Sequence, residues 1–296
     1  MTASFALVTK TYRGDMQPFR DLCQSIDRLM PDTMHYVLVD AQDFAAFRDM
    51  NSPKRKIVNC AHLLPKLKAI QIGHRRIWWS GGFKLVRGWI YQQLAKIAFV
   101  AQMDEDAAVH LDSDVTLLQP ITADQIFRTG KVRLFRNAGG GQSANHIKWH
   151  EHAQSDLGLP VSGYAGFDYV GPGITWSSAV VQAMIGQIEN TTSRPWFNTL
   201  AGHFRFSEYI HYGVFCDQVP GPHQALIAGS DDQFCHTCWG YDLDSTAGVD
   251  RFVADLRPDH RSVLIQSNLG LSEPMRRAIL EQVQTRFEVL AGAPSA

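Results

Sequence analysis

The sequence is short of cysteine, of charge imbalance and of long apolar runs. Its five cysteines, Cys23, Cys60, Cys216, Cys235 and Cys238, are odd in number and scattered. That excludes a disulfide scaffold and points to reduced thiols in a cytoplasmic setting. Lys and Arg total 28 against 29 Asp and Glu, a net charge of −1. This balance argues against a bulk nucleic-acid binder. No uncharged apolar run is long enough to span a bilayer. The longest candidate, Trp89 to Met103, is interrupted by Gln92, Gln93 and Lys96. The opening MTASFALVTK has no basic n-region and reads as a first strand rather than a secretory leader. Internal repeats, low-complexity tracts and Pro/Gly/Ser-rich linkers are also missing, which favours one compact unit. What is abundant is apolar and aromatic matter: 45% hydrophobic residues with 16 Phe, 8 Tyr and 7 Trp among 296. That is enough for a large core and excludes a disordered chain.

The order of elements is informative. Ser4–Val8 reads as an apolar strand. Asp15–Leu29 reads as a helix with Phe19, Leu22, Cys23, Ile26 and Leu29 on one face. Met34–Val39 is a second strand closed by Asp40, Ala41–Arg48 a short helical stretch, and Lys54–Cys60 a third strand. This β-α-β-α-β order predicts a parallel sheet covered on both faces. Residues 61–87 look less regular and are basic, with Lys66, Lys68, Arg75, Arg76, Lys84 and Arg87 around Trp78 and Trp79. A helix is predicted over Gly88–Ala101, then a strand over Ala107–Leu111 and another over Val132–Phe135. Helices follow at Ala144–Leu157, Trp176–Glu189 and Ser207–Cys216, a late strand at Ser262–Gln266, and a terminal helix at Ser272–Leu290. Ser272 is the expected N-cap of that last helix.

The strongest chemical signal is Ala107–Val115, where an apolar strand runs into Asp112-Ser113-Asp114. In open α/β sheets ligands bind beyond the carboxyl ends of the strands. Two carboxylates there repel unless a cation joins them, and oxygen ligands suit Mg²⁺ or Mn²⁺, which can hold a diphosphate. A bare D-x-D also arises by chance, as a solvated loop or as cap acids before Pro120. Its place after an apolar strand, downstream of a β-α-β unit, favours the metal reading.

At these residues the chain resembles a GT-A-type glycosyltransferase. More closely, it resembles a bacterial family of GT-A-like proteins catalogued mainly as a domain of unknown function. The matching segments are Val8–Asp15 (VTKTYRGD), Val37–Asp40 (VLVD), Gly88–Lys96 (GWIYQQLAK), His110–Val115 (HLDSDV), Ser207–Gly213 (SEYIHYG) and Ile265–Asn268 (IQSN). The resemblance implies a GT-A-like, Rossmann-type nucleotide-diphospho-sugar transferase fold with a mostly parallel central sheet flanked by helices. Residues 1–118 would form the nucleotide-sugar half and residues 119–296 the acceptor half of one domain. It implies transfer of a sugar from a nucleotide-diphosphate donor, uridine-linked, to a saccharide or glycolipid acceptor, as in bacterial surface polysaccharide synthesis. The protein would work in the cytoplasm, with room for peripheral contact at the inner membrane face.

Site roles follow from the same resemblance. Thr9, Lys10 and Tyr12 would hold the nucleotide, with the Tyr12 ring under the base; Tyr12 also suits an ordinary turn. Asp40 would meet base or ribose, or simply close its strand. Gln92 and Lys96, at i and i+4 on one helical face, would reach the donor sugar or phosphate; an exposed lysine on an amphipathic helix is the alternative. Asp112, Ser113 and Asp114 would hold the metal and ribose side of the donor, with Asp114 also counted as catalytic. The late histidine ligand common in GT-A folds is absent here. Gln266 is the expected third ligand for Mn²⁺ or Mg²⁺, with Asn268, His236 and His260 as substitutes. Glu208 would be the acceptor-side base, an acceptor-hydroxyl ligand, or a helix N1 acid after Ser207. Asp231 and Asp232 are further acceptor-side candidates.

Two rivals share these residues. Asp112-Ser113-Asp114-Val115-Thr116 also fits the nucleophile strand of a haloacid-dehalogenase-like phosphatase, with Asp231-Asp232 as its late acidic pair. Such a nucleophile usually lies on the first strand, whereas a long β/α stretch precedes this one. A carbohydrate-binding protein on the same fold, without turnover, is the non-enzyme rival. Other signals are discounted. Cys235-His236-Thr237-Cys238 is half a zinc site without a second cysteine pair and reads as structural. His146, His150 and His152 read as a wet helix face. Gly139-Gly140-Gly141 lacks the Lys and Ser/Thr of a phosphate loop and reads as a flexible active-site loop. The basic stretch from Lys54 to Arg76 suits a solvated surface more than a pyrophosphate or an anionic membrane.

Overall fold

The computed structural model describes residues 3–72, 75–79 and 85–292, without the side chains of residues 71, 72, 75 and 76. Lys84 and the Arg75 and Arg76 side chains of the basic stretch lie outside the described residues. The first half contains β1 (Phe5–Thr11), α1 (Met16–Leu29), β2 (His35–Val39), α2 (Phe44–Phe47), β3 (Arg55–Asn59) and α3 (Cys60–Leu63). Next come β4 (Lys68–Ile72), β5 (Arg75–Trp79), β6 (Leu85–Arg87), α4 (Gly88–Val100), β7 (Ala107–His110) and β8 (Val115–Leu117). The second half contains α5 (Ala123–Ile126), β9 (Phe127–Arg128), β10 (Lys131–Phe135), β11 (Asn137–Ala138), α6 (Ala144–Asp156), β12 (Phe167–Asp168), β13 (Ile174–Ser177), α7 (Ser178–Thr192) and α8 (Trp196–Leu200). It closes with α9 (Glu208–Gln218), β14 (Ile227–Ser230), β15 (Cys235–Thr237), α10 (Thr246–Ala254), β16 (Ser262–Leu264) and α11 (Glu273–Gly292). Ser272 caps α11 as expected, accepting from the Met275 N–H at 3.4 Å.

The fold is mixed α/β with a mostly parallel central sheet, as the early alternation predicts. The central sheet runs β13-β7-β1-β2-β3. β1 is parallel to both β2 and β7, β2 is parallel to β3, and only β13 runs against β7. Side chains alternate across it with period two. Leu7, Val37, Val39, Ala107 and Val109 join Phe19, Leu22 and Ile26 of α1 on one face. Val8, Leu38 and Ala108 join Ile90, Leu94 and Ile97 of α4 on the other, together with residues of α7 and α9. Both faces are covered, so the strands read as continuous apolar runs. A third cluster packs α10 against α11 around Phe252, Ile279 and Val283. β8 pairs with β16, and β13 with β7, so strands from both sides of residue 118 share sheets.

The structure corrects two expectations. The stretch after residue 60 is more regular than expected, since its described residues include three strands, β4, β5 and β6, paired antiparallel in turn. The helix predicted over Trp176–Glu189 begins only at Ser178, because Ile174-Thr175-Trp176-Ser177 is β13, filling the open edge of β7. A short buried apolar run has no period to separate strand from helix. The β-branched and aromatic side chains there suit a strand.

Gly213, inside the predicted motif Ser207–Gly213, has a packing reason. A Cβ there would lie 2.1 Å from Cγ of Tyr169. That ring is buried, and its hydroxyl donates to Asp217 Oδ2 at 2.8 Å, so it has little room to yield. Gly213→Ala is therefore expected to lower unfolding free energy by about 2 kcal/mol or more, as overpacked sites do. A urea midpoint equal to that of the parent would show that the Tyr169 ring can move aside.

Candidate active site

The carboxyl ends of β1, β2 and β7 lie side by side, and the acidic pair sits just past β7. Asp112 and Asp114 are both half-buried, and Ser113 between them is buried. Asp114 Oδ2 accepts the Ser267 backbone N–H at 2.8 Å. The end of the late strand therefore abuts the acidic pair, and Gln266 is the residue before Ser267. Burial and the neighbouring Asp112 charge push the Asp114 carboxyl up to about 6, against the Ser267 hydrogen bond; Asp15 adds to the rise. The Ser113 hydroxyl donates to Asp15 Oδ2 at 2.9 Å, tying the loop after β1 to the pair. Tyr12 and Gly14 in that loop, and Ser267 and Asn268 opposite, are exposed, so the pair faces open surface. The Tyr12 ring folds over Gly14, where a Cβ would meet it at 2.4 Å.

Near the pair is a buried ion pair with a tyrosine on it. Lys96 Nζ lies 3.0 Å from Glu208 Oε1 and donates to the Tyr209 hydroxyl at 2.9 Å. Burial pulls the Lys96 pKa down, yet Tyr209, Glu208 and Asp112 outweigh it and hold the ammonium well above its ordinary value. Glu208 is at N1 of α9, after the N-cap Ser207, whose side chain accepts from the Ile210 N–H. The Glu208 N–H donates to Gln93 Oε1 at 2.9 Å. Glu208 thus stands at the N1 position of the capping reading, and its carboxylate is engaged by Lys96. Gln92 shares a face of α4 with Lys96 by its i,i+4 spacing.

The donor-loop residues divide. Lys10 and Asp40 form an ion pair at 3.1 Å, nearly sealed from solvent. Thr9 is not in a loop: β1 continues to Thr11, beyond its predicted end at Val8. With period two, Thr9 falls on the α1 face and hydrogen-bonds His35 Nε2 at 3.0 Å, fully buried. Its side chain is unavailable to a ligand. Tyr12 is 46% exposed.

Other candidates are engaged elsewhere. His236 Nε2 bonds the Phe252 carbonyl at 2.7 Å and His260 Nδ1 accepts from the Arg257 N–H at 3.0 Å. Those nitrogens are not free to replace the missing histidine ligand. Asp232 pairs with Arg128. The wet-face reading of the histidine helix fails at His150, which is fully buried against Tyr164 and Tyr169. All five cysteines are buried free thiols, consistent with a structural Cys235-Cys238 pair.

Sequence reasoning assigns no individual role to Asp15, Gln93, Tyr209 or Ser267. All four lie in the quoted segments, but only the tertiary contacts show what the first three side chains and the Ser267 N–H meet. A cleft of about 150 Å³ is lined in part by Asn137, Asp168, Gln233, Cys235 and Trp239. Burial pushes the Cys235 thiol up, against a Ser262 hydrogen bond, and the Asp112 and Asp114 charges add to the rise. Trp239 is 47% exposed at the rim of the cleft. Among the described residues no helix is long and apolar enough to cross a membrane.

Several solved structures are similar in outline. An active-site mutant of LgtC is 12% identical, with 98% of each chain covered and a TM-score of 0.43. The galactosyltransferase LgtC in complex with donor and acceptor sugar analogs is 11% identical, with 98% of each chain covered and a TM-score of 0.44. The apo form of the glycosyltransferase GlyE of Streptococcus pneumoniae TIGR4 is 13% identical at a TM-score of 0.45; the match covers 98% of this chain and 62% of GlyE. No curated protein matches significantly by sequence. A family profile matches residues 3–254, most of the chain, and the protein accordingly belongs to the family of unknown function DUF6492.

Proposed function

We propose that the protein is a metal-dependent glycosyltransferase that moves a sugar from a nucleotide-diphosphate donor, uridine-linked, to a saccharide or glycolipid acceptor. The observation that carries this reading is the acidic pair past β7. Asp112 and Asp114 are held close enough for one to raise the other, and among the described residues no side-chain cation bonds Asp114. An all-oxygen pair in that state fits Mg²⁺ or Mn²⁺. Asp112 and Asp114 would hold the ion, with Gln266 beside them. When bound, such an ion offsets charge on the departing diphosphate.

The chain's own groups divide the remaining work. Tyr12 offers its exposed ring to the base. The Lys10–Asp40 pair fixes the ends of β1 and β2 beneath the nucleotide. Lys96 adds positive field beside Asp112 for the diphosphate. Glu208, buried and ion-paired, positions Lys96 rather than serving as a free base. The cleft rimmed by Trp239 receives the acceptor, and its aromatic face suits a sugar ring.

Calorimetry with uridine diphosphate and Mn²⁺ tests this. Binding is expected with the ion and is expected to vanish in a chelator. Tyr12→Ala should weaken it by about 1–3 kcal/mol, the usual worth of one base–ring stack, and leave the unfolding midpoint unchanged because the ring is exposed. Equal affinity with and without divalent ion would count against the assignment, as would a phosphoenzyme at Asp112.

A further inference from the structure

A second constellation lies where α6, α9 and the segment before α9 meet. His203 Nε2 is 2.7 Å and His211 Nε2 is 3.0 Å from the same oxygen, Oδ2 of Asp156. The ligating atoms of these residues all lie within 4.8 Å of one another. Asp156 ends α6, and His211 is in the first turn of α9. Asp156 and His211 are buried, while the His203 side chain is 20% exposed and gives the cluster access to solvent.

The other nitrogen of His211 decides what the cluster can do. Nδ1 lies 3.0 Å from the Ser207 carbonyl oxygen, which only accepts, so Nδ1 carries a proton. In the neutral ring Nε2 then presents a lone pair to a carboxylate oxygen. Two lone pairs at that distance repel. The contact needs a proton between the two atoms, on the buried ring or on the carboxyl, or a metal ion among the three side chains. An imidazole whose far N–H is fixed on a backbone carbonyl is the usual arrangement of a metal-ligating histidine. His203 is held by a second ring, since His152 stacks on it at 4.2 Å, and His152 Nδ1 is itself fixed on the Arg205 carbonyl at 2.9 Å.

We propose that Asp156, His203 and His211 bind a zinc ion. Two imidazole nitrogens and one carboxylate oxygen match the ligand preference of Zn²⁺ and leave a fourth position on the His203 side. Mg²⁺, which favours all-oxygen sites, is disfavoured. The ion would join α6 to the first turn of α9, the turn that presents Glu208 and Tyr209 to Lys96. It is separate from the acidic pair and does not depend on the transferase reading.

The test uses the full chain carrying Asp112→Asn and Asp114→Asn, stripped with a chelator and then titrated with Zn²⁺. One equivalent is expected to bind and raise the unfolding midpoint. His203→Ala, at the partly exposed ligand, should fold and weaken binding by about 1000-fold, more than the roughly 10–100-fold that a lost outer-shell contact costs. Co²⁺ in place of Zn²⁺ should give the visible absorption of a low-coordinate nitrogen–oxygen site, lost in His203→Ala. Identical Zn²⁺ isotherms for parent and His203→Ala would overturn the proposal. So would nitrogen NMR showing both His211 nitrogens still protonated in excess Zn²⁺.

Discussion

Asp114→Asn is expected to stabilise the metal-free protein at pH 8 while removing the proposed transferase activity. Burial, and the Asp112 charge after it, push the Asp114 carboxyl up to about 6 from an ordinary 3.8. The folded state therefore holds this proton more tightly than the unfolded chain does. The stabilising contribution is full below the unfolded value, near 3.8, and is lost as pH rises through about 6. At pH 8 the ionised group costs the fold about 1–2 kcal/mol, after discounting a gap of some two pK units for its partial exposure. Asparagine has no charge to bury, and its amide oxygen can still accept from Ser267. Urea titrations in chelator should show the variant gaining on the parent at pH 8 and not at pH 4. Activity moves the other way: losing one of two anionic ligands should cost several kcal/mol of transition-state stabilisation, about a thousandfold in rate. A variant less stable than the parent at pH 8 would mean the pair is not under electrostatic tension. A variant of full activity would remove the metal from the reaction.

The parts of this site that were legible in the sequence are those carried by local pattern. The apolar run Ala107–Val109 followed by two acids predicts a strand with carboxylates at its end, and β7 has them there. Ser207 and Ser272 are N-cap residues by type, and both cap. Thr9 shows where local pattern fails. A threonine and a lysine after four apolar residues look like the start of a loop, yet tertiary partners extend β1 through them: His35 takes Thr9, and Asp40 takes Lys10. β13 fails for a related reason, because its strand state comes from the open edge of β7 and not from its own period. The Asp156–His203–His211 cluster was illegible, since its members are brought together only when α6 packs on α9. His146 and His150, the pair with helical spacing, drew attention to the wrong atoms of the same helix.

Removing Lys96 should have the largest effect on stability. Lys96→Met keeps the length of the stem and leaves the Glu208 carboxylate, only 4% exposed, without its cation. Breaking a buried pair from one side typically costs about 3–5 kcal/mol, because the remaining charge is stranded. Glu208→Gln should cost less: Lys96 keeps the Tyr209 hydroxyl at 2.9 Å and the field of Asp112. The double variant Lys96→Met, Glu208→Gln carries no stranded charge and should recover most of the loss. That would give a coupling energy of about 2 kcal/mol or more in the cycle, within the range for residues in direct contact. Equilibrium urea unfolding of the four proteins measures it. Stability and function should then separate, since the recovered double variant still lacks the positive group beside Asp112 and should bind nucleoside diphosphate poorly even with Mn²⁺. If Lys96→Met unfolds at the parent's urea midpoint, the pair is wet and the buried ammonium is not what organises this end of α9. If the double variant binds nucleotide as well as the parent, Lys96 acts on the fold alone and the diphosphate is held by other groups.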